Sequence, residues 1–192
     1  MRAKWVAPVV LAACLTGCGF NAVVERDQDV EAAFSELQNQ YQRRADLVPN
    51  LVNVVKGAAD FEQETLQKVV QARSQVAGMK VTKEVLDDPE AFQRFTQAQN
   101  KLGGALSRLL VTVERYPDLK ANQSFRDLSA QLEGTENRIA VARRRYIEAV
   151  SAYNKTVLTF PTMIGAYLRG MDERPNFEAT TEGAEKAPKV EF

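Results

Sequence analysis

Two long stretches of this chain repeat apolar residues in alternating steps of three and four, and that spacing restricts the fold more than any other feature. The first runs Phe92, Phe95, Gln99, Leu102, Leu106, Leu109, Val113 and Tyr116. The second runs Ala121, Phe125, Leu128, Leu132, Thr135, Ile139, Ala142, Tyr146, Ala149, Tyr153 and Thr156. Each is a heptad seam, the stripe by which one helix packs along another. In the second, Phe125, Leu132, Ile139, Tyr146 and Tyr153 share one heptad position and smaller residues fill the other, so knobs and shallow holes alternate. Gln99 is a polar residue in the first seam, and its place predicts a role in fixing register or reaching the rim rather than a ligand site.

A third seam, Val30, Phe34, Leu37, Tyr41, Arg44, Val48, Leu51, Val55 and Ala58, keeps its phase through Pro49. An interior proline removes a hydrogen bond and bends a helix at a cost of about 3 kcal/mol. Two readings follow: one kinked helix, or a hairpin near Asp46 to Pro49. At about 1.5 Å per residue, Asn21 to Lys56 spans about 50 Å and Asp118 to Leu158 about 60 Å. The continuous helix is favoured, because a break at Pro49 leaves the last two heptads of the final helix without a partner.

Punctuation supplies the remaining boundaries. Gly57 stops the first helix, Asp60 caps a shorter second one carrying Leu66, Val69, Ala72 and Val76, and residues 78–88 connect it to the third. Asp88 before Pro89 starts the third helix, Pro117 ends it, and Asp118 is the expected N-cap of the fourth. The expected fold is all-α: an antiparallel four-helix bundle with long first and fourth helices over residues 18–159. A short apolar segment and a flexible, polar C-terminal tail occupy 160–192, the tail beginning near Arg174.

The N-terminus reads as an address. Arg2 and Lys4 precede an apolar run from Trp5 to Leu15, and Leu15-Thr16-Gly17-Cys18 closes it. This resembles the lipobox of bacterial lipoproteins, which implies a signal peptide over 1–17 and acyl chains, palmitate among them, on Cys18. Leu11-Ala12-Ala13-Cys14 is a second candidate. The alternative is an uncleaved single-pass inner-membrane anchor, although Trp5 to Phe20 falls short of the roughly 20 apolar residues a spanning helix needs. Gly19 stands where inner-membrane retention in lipoproteins of double-membraned bacteria is marked by aspartate, so the outer membrane is favoured there. With Cys14 removed and Cys18 acylated no free thiol remains, and disulfide or cysteine chemistry drops out.

Four blocks then carry a family resemblance: residues 40–52 (QYQRRADLVPNLV), 116–121 (YPDLKA), 131–143, and Tyr153-Asn154 with Phe160-Pro161. Along nearly all its mature length the chain resembles the LemA family. That implies a helical bundle held outside the cytoplasmic membrane by an N-terminal anchor, and no established reaction. One branch of the family takes part in building magnetosome membranes. Most relatives carry a short membrane-spanning N-terminus, so the lipobox is a departure.

The catalytic inventory is thin. The chain has no histidine, which removes Ser-His-Asp triads, Glu-x-x-His di-metal sites and most zinc sites. Gly103-Gly104 lies inside a helix and not after a strand, so no phosphate loop is present. Glu133 and Glu136 share a helical face, as solvated or ion-paired carboxylates commonly do. With 25 basic and 25 acidic residues there is no broad attraction for nucleic acid. No enzyme activity, cofactor or metal is expected.

Three groups are candidates for binding. Arg43 and Arg44 should stand level with Arg143, Arg144 and Arg145, giving either a basic band for an anionic partner or surface ion pairs with Glu36, Asp46 and Glu148. Ala130, Gly134, Asn137 and Val141 form a row opposite the seam. Glycine there costs about 1 kcal/mol against alanine, so Gly134 predicts close backbone approach, in a docking groove or in internal packing. Phe160, Met163, Ile164, Tyr167 and Leu168 either lie on the bilayer surface, with Arg169 and Arg174 toward headgroups, or form a fifth helix covering the bundle end. The function expected is a membrane-anchored scaffold or adaptor with an envelope protein as partner. A carboxylate or tyrosine enzyme and a membrane-remodelling protein are the alternatives, and oligomeric state stays open.

Overall fold

The computed structural model describes residues 6–58, 61–79 and 84–177, with side chains from Asn21 onward except that of Glu84. The described residues are mostly helical and contain no strand: α1 (Val6–Lys56), α2 (Gln63–Ala77), α3 (Glu84–Asp87), α4 (Pro89–Val113), α5 (Pro117–Ala121), α6 (Gln123–Leu158) and α7 (Thr162–Leu168). The all-α expectation holds. Backbone from Val6 to Phe20 belongs to α1, but the side chains of the lipobox, Cys18 included, lie outside the described residues, as do Asp60 and the chain after Phe177.

Both long seams are buried over most of their length, with Tyr116, Leu128, Ala149 and Thr156 half-buried and Ala121 exposed. Phe92, Phe95, Gln99, Leu102, Leu106, Leu109 and Val113 of α4 are all shielded from solvent, as are Phe125, Leu132, Thr135, Ile139, Ala142, Tyr146 and Tyr153 of α6. The most extensive packing is between α1 and α6, followed by α2 with α4. As α1 numbers rise, partners on α6 fall: the Phe34 ring meets Tyr146 at 5.6 Å, Tyr41 meets Arg143, and Arg44 meets Glu136.

The core is divided by a polar layer. One apolar cluster gathers Val30, Phe34, Leu37 and Tyr41 with Phe92, Phe95, Ile139 and Tyr146; the other gathers Val48, Leu51 and Val55 with Leu102, Leu106 and Leu132. Between them sits Arg44, 3 % exposed. Its Nη1 donates to both Glu136 carboxylate oxygens (3.1 and 3.3 Å) and its Nη2 to the Gln99 carbonyl and Oε1 (2.9 and 2.8 Å). Thr135 of α6 is buried at the same level, its hydroxyl donating to the Gln131 carbonyl at 2.7 Å. Gln99 thus fixes register, by holding a cation rather than by reaching the rim.

Pro49 lies inside α1, which runs on to Lys56, so the chain turns at Gly57 and not at Pro49. A proline at 49 leaves the carbonyl four residues earlier, on Ala45, without its helical donor. Arg73 of α2 fills the gap, its Nε donating to Ala45 O at 3.2 Å. The proline therefore creates an acceptor that ties α2 to α1.

Two boundaries differ from expectation. Asp88 caps α4 as foreseen, accepting from Glu90 N at 2.8 Å. The expected fourth helix is instead broken at Asn122, whose side chain accepts from Phe125 N at 3.1 Å and whose extended backbone separates α5 from α6. Asp118 is a first-turn residue of α5 and not the cap of a long helix. Asparagine is among the best N-caps, and the seam's regularity across it hid the signal.

The second correction concerns the tail. Residues 174–177, expected to belong to a mobile tail, lie back along α6 together with Asp172 and Glu173. Tyr153 Oη donates to Asp172 O (3.0 Å), Asn154 exchanges two bonds of 2.9 Å with the backbone of Arg174, and Tyr146 Oη donates to Pro175 O (3.1 Å). Arg174 is 6 % exposed, and its guanidinium meets Asp27 at 2.8 Å, Asp87 at 3.4 Å and Glu31 at 4.0 Å. The Phe177 ring packs edge-on against Phe92 and Tyr146. The segment is polar in composition, yet side chains of α6 receive its backbone and carboxylates of α1 and α3 receive Arg174.

Two outcomes follow. Arg73→Ala should destabilise the protein by about 1–2 kcal/mol in chemical denaturation, because Ala45 O is left unpartnered. In a Pro49→Ala background the loss should shrink, since the new N–H reaches the same carbonyl; equal losses in both backgrounds would break the link. Burial holds the Tyr146 hydroxyl well above the ordinary tyrosine value of 10.0, with nearby Arg174 pulling the other way. A folded value above the unfolded one gives stability that is complete below about pH 10 and declines as pH rises from there. Tyr146→Phe should cost about 1 kcal/mol at neutral pH and flatten the alkaline decline in Tm.

Candidate functional site

The segment after Leu158 is a helix turned outward. Thr162 Oγ donates to Thr159 O at 2.8 Å, holding the start of α7 against the end of α6. At its far end the chain leaves through Gly170, whose φ of 63° lies in the left-handed region that glycine enters without a side-chain clash. Gly170 N donates to Tyr167 O (3.1 Å) and Met171 N to Ala166 O (3.0 Å). This is the Schellman arrangement, and it sends the chain back toward α6.

Between those ends only small residues face inward. Gly165 and Ala166 are the buried residues of α7, and Ala166 shares a core cluster with Val23 of α1. The large side chains point away: Met163 is 47 % exposed, Ile164 52 %, Tyr167 85 % and Leu168 67 %, with Leu158 at 59 % and Phe160 at 77 % beside them. All five candidates for a membrane surface therefore stand in solvent on one end of the molecule. α7 covers the end with its small face and presents its large one outward. An exposed apolar cluster of this kind is a candidate interaction surface.

That end is also where α1 departs. Arg169 lines a shallow groove with Asn21, Val24, Glu25, Gln28 and Asp29. From there the α1 backbone continues helically to Val6, about 22 Å farther at 1.5 Å per residue. No helix among the described residues is long and apolar enough to cross a membrane.

The other candidates separate. Ala130, Asn137 and Val141 are exposed and Gly134 half-buried, so the row does form one outward face of α6. The arginines do not form one band. Arg43 and Arg144 are exposed, whereas Arg44 is enclosed and Arg143 donates to Tyr41 Oη at 3.0 Å beneath the Phe177 ring at 4.9 Å. Heptad phase places Arg44 inward, but what it meets there depends on α4 and α6, which spacing alone does not show. Sequence reasoning missed the cluster of Arg174 with Asp27 and Asp87: Arg174, expected in the tail or toward headgroups, is enclosed by these carboxylates, and three isolated charges far apart in the chain carry no periodic signal. Glu136 is spent on Arg44, leaving Glu133 without a carboxylate partner in a shared site.

The glycines answer differently. A Cβ on Gly103 would stand 3.2 Å from Arg44 Nη1, one on Gly134 would meet only the tip of Arg138 at 3.8 Å, and one on Gly104 would meet nothing within 4 Å. Gly103 makes room for the buried guanidinium. Internal packing does not account for Gly134.

A family model described as LemA family matches residues 33–192. The chain belongs to the LemA family. It is 25% identical over 182 residues to Magnetosome protein MamQ 2 and to Magnetosome protein MamQ 1 of Paramagnetospirillum magneticum, covering 85% of this chain and 66% of each relative. It is 25% identical over 142 residues to Protein LemA of Metamycoplasma hominis, covering 74% of this chain and 61% of that protein. The chain thus spans just under two thirds of the curated relatives it matches. In this LemA family chain the matched region takes in Arg44, α7 and the segment from Asp172 to Phe177, and leaves Cys18 outside.

Alanine substitutions should separate the glycines in thermal denaturation. Gly104→Ala and Gly134→Ala should each stabilise by up to about 1 kcal/mol through helix propensity. Gly103→Ala should gain less than Gly104→Ala or lose stability, because the Arg44 guanidinium is fixed by bonds to two helices.

Proposed function

We propose that this protein is a membrane-anchored antiparallel four-helix bundle outside the cytoplasm that works by binding, as a scaffold or adaptor in the bacterial envelope. The observation that carries the proposal is α7, whose large apolar side chains face outward at the end from which α1 leaves toward Cys18. Acyl chains on Cys18 anchor that end, in the outer membrane where there are two, and α7 lies in the interface beside them. One acyl chain alone gives reversible attachment, and a second apolar contact makes it stable. Residues Ala130, Gly134, Asn137 and Val141, with Arg144 farther along α6 and Arg43 exposed on α1, offer the face for an envelope protein. Acid/base chemistry plays no part in this function. The names of the magnetosome relatives favour membrane assembly as a second reading, in which α7 acts on the bilayer itself.

Protein beginning at Asn21, and so lacking the anchor, should float with lipid vesicles. The double change Ile164→Glu and Tyr167→Glu should abolish flotation while Tm stays within a few degrees, since both side chains are exposed. Equal flotation of the two forms removes α7 from the membrane. Separately, an alkynyl fatty acid fed to cells should label the full chain and fail to label Cys18→Ser; persistent labelling at Cys14 moves the anchor.

A further inference from the structure

A cleft of about 550 Å³ lies between the first half of α4, Asn154 of α6 and the returning segment at residues 173–177. That volume is within the range of small-molecule sites. Its α4 wall carries Gln93, Gln97 and Asn100, spaced to share one face of the helix, and none of them is engaged elsewhere among the described residues. Two of its wall residues also carry a polar atom enclosed behind the cleft surface without a partner, Thr96 Oγ and Arg174 Nη1. Buried donors in native proteins are nearly always satisfied, and leaving one bare costs stability, so a ligand hydroxyl pressing in between the free amides has donors just beneath them to meet.

The charge around the cleft limits what that ligand is. Arg174 faces Asp27, Asp87 and Glu31, Glu90 and Glu173 stand in the walls, and Arg94 at Glu90 and Arg143 on the Phe177 ring offset part of that charge, so five carboxylates against three guanidiniums disfavour an anion. Amide side chains present a donor and an acceptor side by side, which suits vicinal hydroxyls that both give and accept. Pro89, Phe92, Pro175 and Phe177 add apolar surface between the amides. A pyranose has that same combination, hydroxyls at its edge and C–H groups on its face. We infer that this cleft binds a neutral, hydroxyl-rich ligand of about disaccharide size, a segment of glycan, with Gln93, Thr96, Gln97 and Asn100 as its α4 contacts. The inference stands whether or not α7 rests on a bilayer.

The test is a titration of the isotopically labelled protein with maltose, cellobiose and N,N′-diacetylchitobiose, followed through side-chain amide resonances. Binding of at least one should be saturable, with the largest shifts at Gln93, Gln97 and Asn100. Gln97→Ala with Asn100→Ala should weaken it roughly tenfold or more. Thr96→Val should weaken it too while leaving the unliganded protein at least as stable, because it removes a hydroxyl that has no partner there. The inference is overturned if none of the three sugars gives saturable shifts. It is also overturned if the variants bind as the parent does, or if a capped alanine tripeptide displaces the sugar and binds more tightly.

Discussion

The fold turns on one guanidinium taken out of water. Removing a charge from solvent costs several kcal/mol unless hydrogen bonds and an opposite charge replace the lost hydration. Arg44 obtains both only if α4 and α6 stand at the heights that bring Gln99 and Glu136 to it. Leucine against leucine tolerates a slip of one heptad; this cation does not. The apolar clusters on either side supply most of the burial, and the arginine between them selects one register out of several that the seams alone permit. Gly103 belongs to the same arrangement, because the α4 backbone must leave space for Nη1.

The same logic recurs with two other arginines. Pro49 strips a donor from the Ala45 carbonyl, and Arg73 returns one from a different helix. Arg174 carries the chain end into the fold by meeting carboxylates on α1 and α3 while its backbone pairs with Asn154. In each case a long cationic side chain reaches a defect or a charge that helix packing leaves behind. Arginine suits this role, since its fork makes several directed bonds while its stem lies along apolar surface, as over the Tyr41 and Tyr153 rings.

What was legible in the sequence follows from what kind of signal each feature leaves. Burial repeats with the helical period, so Phe92 to Val113 and Phe125 to Tyr153 were readable, and so was the continuity of α1 through Pro49. A break that preserves phase leaves no trace in that period, which is why Asn122 was passed over. Contacts between single residues far apart in the chain leave none either. Arg174 was therefore read as tail, Arg44 and Arg143 as surface, and the polar layer was seen only as one odd glutamine. For α7 the composition was informative and its orientation was not. Nothing in Thr162 to Leu168 declares that the small residues face in, because the surface they pack on is supplied by α1 at Val23, far away in the chain.

The outward α7 and the cleft are connected through one short stretch of chain. Met171 N closes the C-terminus of α7, and three residues later Arg174 is bound beneath the cleft, with Phe177 forming another part of its wall. The Schellman turn at Gly170 fixes the direction in which this stretch leaves, so the position of α7 and the position of the wall are not independent. Tyr153, Asn154 and Tyr146 hold the stretch at three successive levels of α6. Because those bonds run to the strap's own backbone, substitutions at its exposed side chains disturb it little. Displacing α7, in contrast, must either strain the turn at Gly170 or draw Asp172 away from Tyr153. The surface at the end of the molecule and the cleft along its side are thus two faces of one mechanical unit, in which the backbone bonds to α6 set how far a movement of α7 can travel.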